Sequence, residues 1–217
     1  VRRFVAIVKD AAADPALRRD AAQRLIEHGS RPALAALASQ LTVASSPGSL
    51  DLGAVQAVAQ AVASHTMPSA VLVQPLLALL SHVDDPVAGD VAMALSRYDD
   101  GRTRQTIAAL TSDRSASVRQ RRGAVMVLGH DRSQAAVAVL IDLLDGPHPS
   151  PVRDAAHTSL VQITGISDLT SDPGPWRQWW STARTLSREA WVESLFANYT
   201  RSRSQQSRQI ALLQDRM

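Results

Sequence analysis

Histidine and cysteine are the side chains that most often carry catalysis or bind metals, and this chain uses them sparingly. It has no Cys, which excludes a disulfide framework, a thiolate metal site and a cysteine nucleophile. No two His residues lie three or four positions apart and no H-E-x-x-H motif occurs, so structural roles are favoured over metal ligation. The six residues are His28, His65, His82, His130, His148 and His157.

Other catalytic signatures are missing from the sequence as well. It contains no G-x-S-x-G motif, no glycine-rich phosphate loop and no pair of carboxylates of catalytic type. Nucleophilic and general acid–base chemistry both need such groupings. We therefore expect no catalytic residue, no metal and no cofactor, and we expect that the protein is not an enzyme.

A tryptophan cluster is the sharpest local feature. In the segment DPGPWRQWW, Trp176, Trp179 and Trp180 lie at i, i+3 and i+4 and share one face of a helix. Such a face, beside Arg177, can stack on nucleic-acid bases or bind a partner. The alternative is that the three indoles close one end of a core otherwise built from small residues.

The segment RSASVRQRR is the second candidate binding feature. Arg119 and Arg122 share one helix face, whereas Arg121 points elsewhere. The first two could meet phosphates or an acidic partner. The alternative is an ordinary solvated face, since such residues lie on the first helix of a predicted helix pair.

The C-terminal segment, residues 187–217, predicts one long helix with an apolar seam in 3-4 spacing. Its first half carries Phe196 and Tyr199, with Trp191 and Leu195 on the adjoining flank, and should dock on the preceding helices. Its second half, which includes Ile210 and Leu213, should project and become ordered against a partner helix or a second copy. The alternative is a frayed terminus with accidental spacing.

Composition indicates which elements must position these side chains. The chain of 217 residues is 45% hydrophobic, 20% charged and only 4% aromatic, with a formal net charge of +3, which excludes a disordered chain. A core of Ala, Leu and Val suits helix-on-helix packing better than a sheet.

Lys occurs once among 23 basic residues, which is typical of a GC-rich bacterial genome. No run of 18 apolar residues occurs, so we expect no membrane span. The chain begins with Val1 and not with Met. Two explanations are open: an upstream segment was cleaved, or the sequence begins inside a longer protein.

Repeats organise the chain. Five positions at separations of 35, 35, 31 and 34 residues each open an Ala-rich amphipathic helix, and a second helix follows each after a short break. These positions are Leu17, Leu52, Val87, Val118 and Val152. Helix pairs of this length cannot bury their apolar faces alone. The sequence therefore predicts an all-α fold, an α-solenoid of about five stacked helix pairs with flanking terminal helices. Its equivalent buried residues should be Leu25, Leu95 and Leu160.

Two segments resemble HEAT-type repeats of the bacterial, phycobilisome-lyase HEAT-like variety. They are DPALRRDAAQRLIEHGSRPALAALASQL (14–41) and SPVRDAAHTSLVQITG (150–165). The resemblance covers about residues 14–183. It implies a solenoid over residues 1–186, followed by the C-terminal helix, 187–217. The chain also resembles alkylpurine DNA glycosylases, which are HEAT-like solenoids with Trp, Arg and Asp in a concave basic groove.

These observations favour a non-catalytic protein–protein interaction scaffold or a subunit of a larger assembly. Its partner is a protein of unknown identity, and a homo-oligomer through the C-terminal helix is a further option. The alternative is a nucleic-acid-binding HEAT-like solenoid. Nucleic acid is disfavoured because the predicted second helices, 32–43 and 69–83, carry no Arg or Lys. The compartment stays open, with the cytoplasm slightly favoured.

Overall fold

The protein is all-α throughout the part that the structure describes. The computed structural model describes residues 1–42, 51–81 and 85–214, and for side chains it leaves out 85–86, 205–206 and 209–214. These residues form twelve α-helices and no strand. The predicted all-α class is therefore confirmed for them, while the stacking of helix pairs into a solenoid stays a prediction.

The helices follow one another in the order that the repeat pattern predicts, ten helices between two flanking ones in the described residues. They are α1 (Arg2–Lys9), α2 (Pro15–His28), α3 (Arg31–Thr42), α4 (Leu52–Ser64), α5 (Val73–Leu79), α6 (Asp85–Leu95), α7 (Gly101–Ser112), α8 (Val118–Leu128), α9 (Gln134–Asp145), α10 (Ser150–Thr164), α11 (Pro173–Ala183) and α12 (Arg188–Gln214). A short 3-10 turn, Ala70–Leu72, precedes α5.

Local sequence signals set the helix ends. Helix α2 begins where the Asp14 carboxylate accepts hydrogen bonds from the backbone N–H groups of Ala16 and Leu17, at 2.8 and 3.3 Å. Pro15 fits the first turn because no N–H is needed there. The helix ends at Gly29, whose φ of 62° lies in the left-handed region that glycine adopts without strain. Asp and Ser residues cap other helices in the same way, at Asp51, Asp100, Ser133 and Asp172.

The contacts divide the chain into two compact units, Val1–Val127 and Leu128–Met217. In the first unit α4 packs between α2 and α6. Helix α4 is buried on most of its surface through Ala and Val side chains. Small side chains let helix axes approach closely, which is how this unit forms a core almost without aromatic residues.

A buried arginine connects elements within the first unit. The Arg18 side chain is 4% exposed, and its Nε and Nη2 donate to the Val8 carbonyl at 3.0 and 2.8 Å. Its guanidinium also forms an ion pair with Asp51, which caps α4. Gly53 leaves room for this group, because a Cβ there would lie 2.5 Å from Arg18 Nη1. Arg18 therefore ties the end of α1 to the start of α4.

The same ion pair affects the titration of Asp51. Burial alone would raise the pKa of this carboxyl, but hydrogen bonds from Arg18 and from the Ala54 backbone, together with the Arg18 charge, lower it below its ordinary value. A carboxyl with a lowered pKa contributes stability at neutral pH that is lost as the pH falls through that pKa. The pair therefore stabilises the first unit in its ionised form.

Helices α9 to α12 belong to the second unit. Helix α10 packs on α9 and α12, and α11 packs on α9. Gln134 at the start of α9 donates from Nε2 to the carbonyls of Ala183 and Leu186, at 3.0 and 3.3 Å. The connection between α11 and α12 is therefore fixed to α9.

The five positions that open the repeats differ in burial. Leu17, Leu52 and Val118 are exposed, whereas Val87 and Val152 are buried. In α2 the reason is that Arg18, the next residue, takes the inward position of the first turn. The burial predicted for the first-helix core is confirmed at Leu25, Leu95 and Leu160.

None of the helices found in residues 1–42, 51–81 and 85–214 combines the length and the apolar character needed to cross a membrane.

Candidate functional site

Helix α12 is anchored along one face. The Trp191 and Leu195 side chains are buried, and the Trp191 indole Nε1–H donates to the Arg132 carbonyl at 2.8 Å. Farther along, the Tyr199 hydroxyl donates to the carbonyls of Gln162 and Ile163 at the end of α10, the latter at 3.2 Å. The Arg132 guanidinium carbon lies 5.7 Å from the centre of the Tyr199 ring, within cation–π range.

A glycine makes the approach of α12 to α10 possible. Gly165 ends α10 with a φ of 71°. A Cβ built at this position would lie 3.0 Å from the Tyr199 backbone nitrogen and 3.2 Å from its Cα. Both distances are shorter than an ordinary van der Waals contact, so any larger residue would push the two helices apart. Gly165 therefore supports both the end of α10 and the docking of α12.

The face of α12 next to the anchored one is open to solvent and carries two apolar side chains. Val192 is 58% exposed and Phe196 is 74% exposed. At 100° per residue they share one face with three further exposed residues, and we call this set the outward strip. Its members are Glu189, Val192, Phe196, Thr200 and Arg203.

The predicted seam of α12 is wrong at Phe196. This residue was expected to dock together with Tyr199 but is exposed, whereas Trp191 and Leu195, which were assigned to the flank, are buried. Tyr199 is half-buried and its hydroxyl bonds to α10. The other two seam residues, Ile210 and Leu213, fall in the helix, but their side chains lie outside the described residues.

The tryptophan cluster is a continuous contact network rather than an exposed platform. Trp176 is fully buried, and its Nε1–H donates to the Thr170 carbonyl at 2.9 Å. Its ring lies 5.9 Å from that of Trp179 in an edge-to-face arrangement. Trp179 and Trp180 each lie 6.1 Å from the ring of Trp191, so the cluster joins α11 to the anchored face of α12.

The three tryptophans of the cluster differ in how much of each ring is exposed to solvent. For Trp176, full burial agrees with the packing interpretation, since no ligand can stack on a ring without exposed surface. Trp179 and Trp180 are half-buried, and their role in partner binding stays a prediction. Arg177, which the sequence places beside them, forms an ion pair with Asp145 of α9.

A cleft of about 260 Å³ with a mixed polar and apolar lining opens next to Trp179. It is lined by the segment that follows α10 and by residues of α12, namely Gly165, Ile166, Ser167, Asp168, Leu169, Trp179, Asn198, Arg201 and Ser202. Indole, carboxylate and guanidinium groups therefore line the same cleft.

The basic cluster of α8 is split between solvent and core. Arg119 is exposed, Arg122 is half-buried, and Arg121 is buried with its Nε donating to the Thr111 carbonyl at 3.1 Å. The prediction that Arg121 points away from the other two is confirmed. Whether Arg119 and Arg122 bind a partner stays a prediction.

The described histidines make local contacts. His157 Nε2 lies 2.9 Å from the Leu169 carbonyl, and its ring meets the edge of Trp176. His130 Nδ1 lies 3.3 Å from Gln162 Nε2. In the described part of the chain, no group of three or more His, Asp or Glu side chains could hold a metal ion.

Comparisons with known proteins add no relative, because neither a protein-family model nor a curated protein matches the chain. The function must therefore rest on the geometry of the chain's own residues.

Proposed function

We propose that the protein is a non-catalytic protein–protein interaction module, a scaffold or an assembly subunit, and that the outward strip of α12 is its binding surface. The observation that carries this proposal is the 74% exposure of Phe196 on a helix whose adjoining face is anchored by Trp191 and Tyr199. An apolar face on a fixed helix is a common way of presenting a binding surface to another protein.

The energetics favour this use of the strip. Burying a fully exposed Phe side chain contributes about 1.5–3 kcal/mol, and Val192 adds to the same contact. The bonds of Trp191 and Tyr199 already order the first half of α12, so binding costs little conformational entropy there. A partner with a complementary apolar groove or helix would gain most of this free energy as affinity.

The proposal includes the architecture that the sequence resembles. In it, α2 to α11 stack as HEAT-like helix pairs, and α12 closes the second unit. Two observations support this arrangement: the helices occur in the predicted order, and α4 packs between the first helices of the neighbouring pairs, α2 and α6. Stacked pairs present an extended surface that can be adapted to a partner. The proposal assigns no catalytic residue and no cofactor.

The cleft next to Trp179 favours one second candidate, nucleic-acid binding by a HEAT-like solenoid. Trp179, Asp168 and Arg201 all line it, and the alkylpurine DNA glycosylases that the sequence resembles use the same three residue types. The charge distribution argues against a phosphate groove, because residues 32–43 and 69–83 carry no Arg or Lys. We therefore rank this function second.

Site-specific photo-crosslinking tests the leading proposal. A benzoylphenylalanine placed at Phe196 of the full chain, in cells that express it, should form discrete protein adducts on irradiation. The matched control is the same residue at Gln178, which is exposed on α11 and lies outside the outward strip. Adducts from position 196 that are missing from position 178 would support the proposal. Equal labelling from both positions, or no adduct from position 196, would overturn it.

A further inference from the structure

The charges of the outward strip are arranged with opposite signs about its centre. Glu189 lies seven residues before Phe196, and Arg203 lies seven residues after it. Seven residues are two helical turns, or about 10.5 Å along the axis, so both charges share the face of Phe196. The strip therefore runs from a negative end through an apolar centre to a positive end.

Both charges are available for an intermolecular contact. Among the ion pairs of the described residues, none includes Glu189 or Arg203, and both side chains are exposed. The pKa of Glu189 is lowered by two hydrogen bonds to its carboxylate, one from its own backbone N–H and one from the Ser187 hydroxyl. The charge of Arg188 lowers it further. Its carboxylate is therefore negatively charged at neutral pH.

We propose that the outward strip binds a second copy of this chain, with the two α12 helices antiparallel and crossing at Phe196. In this arrangement the two Phe196 rings meet at a two-fold axis. Glu189 of each copy then lies beside Arg203 of the other, so the ion pair forms twice. The inference rests on the proposed function, since it names the partner of the same strip.

Other pairings of the strip satisfy its charges less well. A parallel pair would place Glu189 against Glu189 and Arg203 against Arg203, and like charges at close range repel each other. A symmetric antiparallel pair needs only one self-complementary surface, which is the usual way in which a chain forms a dimer. The arrangement of charges about Phe196 therefore favours a second copy in the antiparallel sense.

The expected dimer is weak. The outward strip spans four turns of a single helix, which is less than the roughly 1,000 Å² that a stable interface buries. Association should therefore depend on protein concentration and weaken with added salt, because the ion pairs at its rim are exposed.

Sedimentation equilibrium of the full chain at concentrations up to about 1 mM, in salt of about 0.05 M, tests the inference. We expect a reversible monomer–dimer equilibrium. Glu189→Arg or Arg203→Glu alone should weaken it about tenfold, because each change turns two attractive contacts into repulsive ones. The double variant Glu189→Arg/Arg203→Glu should restore the affinity to within about threefold of the original.

A further variant and a folding control complete the experiment. Phe196→Ser should weaken the dimer more than about 30-fold, because the apolar contact occurs in both copies. Thermal unfolding followed by circular dichroism should be nearly unchanged in Phe196→Ser and Arg203→Glu, since these side chains are exposed. A small decrease is expected where Glu189, which stabilises the first turn of α12, becomes Arg. A wild-type chain that stays monomeric at every concentration, or a double variant that fails to recover, would overturn the inference.

The outcome also separates this inference from the proposed function. Crosslinks from position 196 to a different protein, together with a monomeric pure chain, would keep the interaction module and remove the second copy as its partner. Crosslinks between two copies of the chain would support both. Absence of any crosslink from position 196, together with a pure chain that stays monomeric at every concentration, would remove both.

Discussion

Substitution of the glycine at the end of α10 gives the most direct test of how α12 is docked. Gly165 and Gly29 both end a helix with positive φ, at 71° and 62°. An alanine in this left-handed conformation costs about 1–2 kcal/mol, because its Cβ approaches the following carbonyl oxygen. That backbone cost is common to Gly165→Ala and Gly29→Ala, which makes the second variant a matched control.

The surroundings of the two glycines differ. A Cβ at Gly165 would lie 3.0 Å from the Tyr199 nitrogen and 3.2 Å from its Cα, which are backbone atoms that cannot rotate away. Overpacking of this kind costs about 1–3 kcal/mol. At Gly29 the nearest atoms lie 3.8 and 3.9 Å away, an ordinary contact. We therefore expect losses in the free energy of unfolding of about 2–5 kcal/mol for Gly165→Ala and about 1–2 kcal/mol for Gly29→Ala.

Urea unfolding followed by far-UV circular dichroism measures both variants. Tryptophan fluorescence adds a signal for the second unit alone, because all four Trp residues lie between positions 176 and 191. If α12 separates from α10 in Gly165→Ala, the emission of Trp191 should also shift towards that of an exposed indole. Equal losses for the two variants would refute the close approach of α12 to α10.

Two further outcomes are expected. Leu160→Ala should lower the free energy of unfolding by ~2–5 kcal/mol through a cavity in the core. Leu17→Ala, at a side chain that is 49% exposed, should cost less than ~1 kcal/mol, and equal losses in urea would contradict the assigned core. Binding to duplex DNA should disappear near physiological salt; an electrophoretic shift that survives it, and is lost in the Arg119→Ala/Arg122→Ala double variant, would overturn the interaction proposal.

Local signals account for what could be predicted from the sequence. Helix α2 begins at the Asp14-Pro15 pair and ends at Gly29, and each of these residues acts through its own backbone geometry. The buried positions Leu25 and Leu160 follow from apolar spacing alone. Such signals need no knowledge of neighbouring elements, so the order and approximate bounds of the helices could be found without a structure.

Contacts between distant elements account for what could not be predicted. Arg18 is buried because the Val8 carbonyl and Asp51 converge on it, and Asp51 lies 33 residues away in the chain. A pattern of apolar residues cannot indicate such a partner, and it places an arginine in solvent by default. The one local sign was Gly53, whose missing side chain makes room for the guanidinium.

The choice of the docked face of α12 has the same origin. Two series in this helix have the spacing of a seam, one through Val192 and Phe196 and the other through Trp191 and Leu195. Apolar character alone cannot decide between them, because each holds one aromatic and one aliphatic residue. The decision comes from the acceptors that α12 meets, the carbonyl of Arg132 and those at the end of α10.

Those acceptors also explain why Phe196 remains exposed. A turn of α12 about its axis by one residue, or about 100°, would bring Phe196 towards the core in place of Leu195. It would also remove the Trp191 indole from the Arg132 carbonyl and break a part-buried hydrogen bond, which costs about 0.5–1.5 kcal/mol. Phe has no polar atom with which to replace that bond, whereas Trp and Tyr bury their rings and satisfy backbone carbonyls together. Hydrogen bonding therefore fixes the rotation of α12, and the exposure of the outward strip follows from it.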